Sequence, residues 1–216
     1  MAVRIPLFPL GIVLFPHMPL SLHIFEDRYR VMMRDCQEQG MSFGIVAIRE
    51  GSEVGGGARP YEVGTLAQFH EVEELDDGRY RLVVTGASRF RVARMDDARP
   101  YPVGSVRYLE DVSGEDGDLS PLTNRVARAF AGYASAIARL GGGTADDLEI
   151  PDDPELLSYL VAASLQIELP LKQDLLELDG AADRLRRCLR LLQREAAVLD
   201  AMLAHRDAPV GTFSPN

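Results

Sequence analysis

The stretch Val103-Gly104-Ser105-Val106-Arg107-Tyr108-Leu109-Glu110-Asp111-Val112-Ser113-Gly114-Glu115-Asp116-Gly117-Asp118-Leu119-Ser120-Pro121-Leu122 divides the chain into two kinds of sequence. Val103 to Leu109 is short and valine-bearing and reads as a strand. Asp111 to Asp118 is acidic and glycine-containing and reads as a connector. Ser120-Pro121 then reads as a helix start, with Ser as cap and Pro at the first helical position. Downstream, Leu122, Val126, Phe130, Tyr133, Ile137 and Leu140 recur on one helical face, and Gly141-Gly142-Gly143 ends the run. Asp153-Pro154 opens a second helix running to about Glu168. Pro170 opens a third over Leu171 to Leu178. Gly180 precedes a fourth, whose apolar stripe is Leu185, Cys188, Leu189, Leu192, Leu199 and Leu203. Four helices with short connections predict a four-helix bundle over residues 118–216.

Upstream, apolar runs are short and punctuated by Gly and Pro. Ile12 to Phe15 and Leu20 to Ile24 read as strands around the Pro16-His17-Met18-Pro19 corner. Glu26 to Gln39 reads as a helix, since Tyr29, Met32, Met33 and Cys36 share a face and Gly40 supplies the stop. Phe43 to Ile48, Thr65 to Glu73 and Tyr80 to Thr85 follow as strands, the last two joined by the Asp76-Asp77-Gly78 turn. Phe90, Val92 and Ala93 precede another turn at Asp96-Asp97. Such strands predict a sheet that curls or closes, because an open edge invites aggregation. The expected fold is α+β: a curled β subdomain with one helix over residues 1–117, then the bundle.

The 216 residues are 46% hydrophobic and 26% charged, an ordinary globular composition long enough to bury a large core. The formal net charge of −10 repels phosphate backbones and anionic lipid, so neither nucleic acid nor membrane is an expected partner. Met1 to Leu20 is apolar, but Pro6, Pro9, Pro16 and Pro19 break it, so it is not read as a signal peptide. No window approaches the ~18 apolar residues of a membrane span. Two distant cysteines at apolar helix positions, Cys36 and Cys188, fit a reducing cytoplasm better than a disulfide framework.

Catalytic signatures are missing. The lone lysine, Lys172, follows Pro170-Leu171 and no glycine run, so there is no phosphate-cradling loop, and a Ser–Lys dyad has poor support. No GxSxG elbow occurs. His17, His23, His70 and His205 form neither HExxH nor a pair with CxxC, so no metal or other cofactor is expected. The run Glu71, Glu73, Glu74, Asp76 and Asp77 straddles a turn, where carboxylates are solvated rather than held as an acid/base pair. The chain is therefore expected not to be an enzyme.

What remains is binding. Phe8, Phe15, Met18, Phe25 and Tyr29 gather around the proline corner and form the candidate peptide-binding patch, with interior packing as the competing reading for each residue. Exposed sheet edges offer a second mode, a peptide adding as a strand. Arg184, Arg186, Arg187, Arg190 and Arg194 on the last helix read chiefly as a solvated face.

Several pieces together resemble the Lon protease N-terminal, substrate-binding domain family. They are Ile5-Pro6-Leu7-Phe8-Pro9-Leu10, Val13-Leu14-Phe15-Pro16 and Leu20 through Tyr29, then Val63-Gly64-Thr65-Leu66-Ala67, Asp77-Gly78-Arg79, Val83-Val84-Thr85-Gly86 and Arg89-Phe90-Arg91. In the helical half Lys172-Gln173, Leu175-Leu176-Glu177 and Asp183-Arg184-Leu185 agree. The resemblance implies a PUA-like β pseudo-barrel followed by helices, as a stand-alone member lacking the ATPase and peptidase domains. It implies a non-catalytic protein-binding module for unfolded or specific polypeptides, working as an adaptor to a protease or chaperone. Homo-oligomerisation stays open, and the alternative is an RNA-binding PUA-like module.

Overall fold

The computed structural model describes residues 3–206 except 54, 56, 97, 112–116 and 146–147, with the side chains of 204–206 also outside the description. The elements are β1 (Val3–Leu10), β2 (Pro19–Ile24), α1 (Asp27–Gln39), β3 (Phe43–Glu50), β4 (Arg59–Glu74), β5 (Tyr80–Asp96), β6 (Val103–Tyr108), α2 (Ser120–Leu140), α3 (Pro154–Ser164), α4 (Leu169–Glu177) and α5 (Ala181–Arg206). The chain is α+β, one six-stranded sheet with five helices among the described residues.

The strands run in the order β2-β5-β4-β3-β1-β6, and a further β5–β6 pairing closes the last five into a ring. Closure is possible because β4 and β5 are long. Their ring halves pair with β3 and β6, while their far halves, Gln68–Glu74 and Tyr80–Thr85, project as a hairpin. β2 adds antiparallel to that hairpin and lies outside the ring. The strand expected at Ile12 to Phe15 is absent; the first strand is β1, which ends at Leu10 before that segment begins. Pro6 and Pro9, ordinarily strand breakers, hide β1 in the sequence. β1 tolerates them because Val3–Pro6 pair with β6 alone and Leu7–Leu10 with β3 alone, which leaves each proline nitrogen an unpaired side. The strand expected over Tyr80 to Thr85 runs on through Phe90, Val92 and Ala93 to Asp96.

Phe90 fills the ring's interior. It can do so because it pairs with Gly64, where any Cβ would lie 2.9 Å from the Phe90 ring and 2.3 Å from the carbonyl oxygen of Ile45. Below the ring, α1 buries Tyr29, Met32, Met33 and Cys36 against Phe8, Phe43, Tyr80 and Leu82. Gly40 ends α1 in the left-handed conformation, φ 61°.

The four helices expected after the connector are present, though they are not equal members of a bundle. α2 and α3 pack on α5, whereas the nine-residue α4 touches β3 and β4 as well as its helical neighbours. The cap of α2 also differs from expectation. Leu119 holds the N-cap position, and Asp118 Oδ1 accepts from the Ser120 N–H at 2.9 Å. Asp153 caps α3 by accepting from the Leu156 N–H at 2.8 Å. α3 ends at Ser164, short of Glu168.

Candidate functional site

The five corner residues do not form one surface, which corrects the patch read from sequence. Phe8 and Tyr29 pack against each other in the core, ring centroids 4.4 Å apart. Phe15 is interior too, buried where the ring meets the helices, 6.4 Å from the Tyr159 ring. Met18 is half-buried against the same cluster. Phe25 alone stands out, 51% exposed, with its ring 6.0 Å from that of His23.

Phe25 follows directly on β2, and β2 borders a surface hollow of about 800 Å³. The hollow lies on the three-stranded extension, and its wall includes Ser21 and His23 from β2, Arg81 and Val83 from β5, and Glu71 and Glu73 from β4. Register puts these side chains together: Ser21, Val83 and Glu71 stand abreast, and so do His23, Arg81 and Glu73. Arg81 and Glu73 form an exposed pair at 3.6 Å. Val72, abreast of Leu82 and Leu22 on the other face of the extension, is 38% exposed. The carboxylate run is thus mostly solvated, as the turn reading required, while Glu71 and Glu73 also edge a concavity.

Residues to which the sequence reading gives no common role form the seam between the two halves. Arg89 of β5 and Arg184 of α5 are fully buried, and each is ion-paired with Asp111. Tyr159 donates to Asp111 Oδ1 at 3.0 Å, and the Arg184 guanidinium lies 3.8 Å from the centroid of the Tyr159 ring. One carboxylate does not neutralise two guanidiniums. Carbonyls at the C-terminal end of α4 make up the difference: Leu178 O accepts from Arg89 at 2.8 Å and from Arg184 at 2.9 Å, and Leu176 O accepts from Arg89 at 2.8 Å. A helix C-terminus carries partial negative charge, so these carbonyls suit buried cations. Burial and the nearby Asp111 carboxylate push the Tyr159 phenol well above its ordinary range, although both arginines act the other way. Nearby, Gln173 donates to Val63 O at 3.0 Å, tying α4 to β4.

Arg184 therefore does not belong to a solvated arginine face, as its neighbours in sequence suggest; it occupies the buried side of α5 one turn before Cys188. Both thiols are buried, and desolvation raises each to about 12, so neither is a thiolate at neutral pH. Lys172 is half-buried and donates to Ala163 O at 2.7 Å; desolvation lowers its pKa. Among the described residues no three His, Cys, Asp or Glu side chains come together as a metal site, and no described helix is long and apolar enough to cross a membrane. The His205 side chain lies outside the described residues.

A closed ring with an added edge strand, joined through buried arginines to a helical half, places the molecule among α+β domains of the Lon N-terminal type. The fold is similar to the crystal structure of a Lon N-terminal domain protein from Xanthomonas campestris, with TM-score 0.65 and 28% identity over 87% of this chain and 98% of that one. It is similar in fold to the N-terminal domain of a Mycobacterium avium complex Lon protease, with TM-score 0.68 and 18% identity over 88% and 98%. The chain belongs to the family described as the ATP-dependent protease La (LON) substrate-binding domain, whose model matches residues 4–194. Among curated relatives, Lon protease of Escherichia coli (strain K12) is 25% identical over 199 residues, covering 91% of this chain and 25% of that protein. Lon protease 2 of Myxococcus xanthus is 27% identical over 198 residues, covering 90% and 24%. The chain spans about a quarter of the length of these relatives.

Proposed function

We propose that the chain recognises polypeptide substrates and performs no chemistry on them, acting as an adaptor that delivers unfolded or specific polypeptides to a protease or chaperone in the cytoplasm. Membership in a substrate-binding family supports recognition. The observation that carries the placement is the exposed Phe25 beside the hollow on the β2 extension, whose wall mixes the apolar Val83 with Glu71, Glu73 and Arg81. Among the described residues both thiols are buried and protonated at neutral pH and the Glu71–Asp77 carboxylates are solvated, which supports a non-catalytic role. The closed ring is compatible with a PUA-like subdomain over 1–117, and the seam supports its working as one unit with 118–216. An RNA-binding role has less support, because the net charge is −10 and Glu71 and Glu73 line the hollow.

The test is a titration of the purified chain with reduced, carbamidomethylated lysozyme, a permanently unfolded polypeptide, with native lysozyme as control. Saturable binding of the unfolded form alone is expected. Equal binding of both forms, or of neither, overturns the proposal, as does hydrolysis of the bound chain.

A further inference from the structure

β2 is the terminal strand of the sheet, hydrogen-bonded to β5 on one side, and among the described residues no strand pairs with its other side. The ladder fixes which amides face that vacant side. The Gly86 N–H donates to Met18 O at 3.0 Å, while Gly86 O accepts from the His17 N–H at 2.8 Å; this bulged start of the ladder puts the bonded phase at Met18 opposite Gly86. Bonded and non-bonded pairs alternate along an antiparallel ladder. With Leu20 opposite Val84, Leu22 opposite Leu82 and Ile24 opposite Tyr80, these three residues turn their amides toward β5. Ser21 and His23 therefore turn both N–H and C=O outward. Pro19, the first residue of the strand, has no N–H and guards that end of the edge.

Apolar surface flanks this row of donors and acceptors. Leu20 and Leu22 are half-buried against the core cluster, and Phe25 is exposed at the row's end. Ser21 and His23 point to the opposite, outer face, where the hollow opens. An extended segment laid here would exchange four backbone bonds with Ser21 and His23, and alternate side chains would cover Leu20 and Leu22. The overall charge of −10, with Glu71 and Glu73 on the adjoining wall, selects against an acidic segment.

The geometry points to the free edge of β2 as the docking line for a neutral or basic, unfolded polypeptide segment, which adds to the sheet as a strand. This rests on the substrate-recognition reading above and specifies how the substrate is held: by its backbone, with little demand on its sequence.

The experiment compares the wild-type chain with the double variant Ser21→Pro, His23→Pro in titrations against fluorescent, reduced and carbamidomethylated lysozyme. Both substituted N–H groups face away from β5, so proline removes outward donors without breaking the ladder, and circular dichroism and thermal midpoint are expected to stay as in the wild type. Loss of two backbone bonds is expected to weaken binding about tenfold or more. Unchanged affinity in the folded variant overturns the edge while leaving substrate recognition standing; absence of binding by the wild type overturns both. A second measurement covers a variant that fails to fold. On wild-type protein, an eight-residue peptide alternating valine and threonine is expected to compete about tenfold better than the same peptide N-methylated at alternate residues. Equal competition overturns the proposal. A wild-type dimer that the proline pair dissociates, with no unfolded chain bound, overturns it by assigning the edge to a second copy. Binding that appears only after removal of residues 207–216 overturns it by assigning the edge to this chain's own C-terminus.

Discussion

At the seam between ring and helices, strongly polar groups are taken out of water and given partners. At β2, backbone groups of ordinary polarity are left facing solvent on a strand of half-buried leucines. Arg89 and Arg184, of the least easily buried residue type, sit at 2% and 0% exposure, whereas Phe25 stands 51% exposed. Composition alone would have arranged them the other way round. The difference teaches that burial here follows the need to join two halves, and exposure follows the lack of a neighbour beyond β2. A seam held by buried charge resists sliding, because any displacement strands a cation. An open edge carries no such penalty and accepts whatever chain supplies matching amides.

The comparison breaks most readily at Asp111. Asp111→Ala leaves two buried guanidiniums with no carboxylate, held only by the Leu176 and Leu178 carbonyls and, for Arg184, by the Ser158 hydroxyl and the Tyr159 ring; removing one member of a buried ionic group typically costs about 3–5 kcal/mol. Chemical denaturation should show that loss. A loss below about 1 kcal/mol would mean that the neutral partners, the carbonyls with Ser158 and Tyr159, hold the arginines and that the seam does not depend on its carboxylate.

Gly86→Ala strikes the junction of the two regions. A Cβ at Gly86 would lie 2.2 Å from Phe15 O, and Gly86 also anchors the corner that leads into β2 through its bond to Met18. The backbone must shift, at a cost of about 1–3 kcal/mol. The expected outcome is lower thermal stability together with weaker binding of unfolded lysozyme. A variant as stable as the wild type would show that the corner gives way freely.

Alkaline titration sharpens the contrast from the buried side. Burial raises the Cys188 thiol from 9.0 to about 12. The folded state disfavours the thiolate, so stability is unaffected below about pH 9, where the thiol is neutral folded or unfolded. Above that the unfolded chain ionises first, and stability falls as pH climbs toward 12, by on the order of 1 kcal/mol at about pH 10 for this group. Cys36, Tyr29 and Tyr101, all raised to about 12 chiefly by desolvation, act in the same direction. Urea midpoints between about pH 8 and 10.5 measure the slope, and a thiol reagent should label Cys188 only as the protein unfolds. Rapid labelling of the native protein at about pH 8 would contradict the burial.

What the sequence makes legible follows from how strongly each pattern constrains the chain. The helical stripes of α2 and α5 repeat over several turns, so their faces can be read directly. β1 is hidden because Pro6 and Pro9 normally exclude a strand, and only the split pairing to β6 and β3 makes room for them. Arg184 reads as surface beside Arg186 and Arg187, although its position one turn before Cys188, on the buried stripe, carries the opposite signal. Arg89, Gln173 and Arg184 lie in three of the segments that resemble the Lon domain, and the structure brings all three segments to the seam. The aromatic corner makes no patch for a different reason. Residue type cannot tell a phenylalanine that fills a core from one that grips a ligand, and Phe8, Phe15 and Phe25 differ only in what the fold lays over them.

Phe25→Ala is expected to leave the smallest mark on folding and to be the most direct probe of the open region. Half of the side chain is already in water, and its ring neighbour is the exposed His23, so truncation should change stability by no more than about 0.5 kcal/mol. Affinity for unfolded lysozyme should nevertheless fall, since a bound chain would otherwise cover that ring. Stability and affinity have to be measured on the same variant, because only together do they tell core from docking surface. A stability loss near about 2 kcal/mol would place Phe25 among the core aromatics and remove the apolar end of the β2 edge. Unchanged stability with unchanged binding would leave the backbone row of Ser21 and His23 to hold the substrate without it.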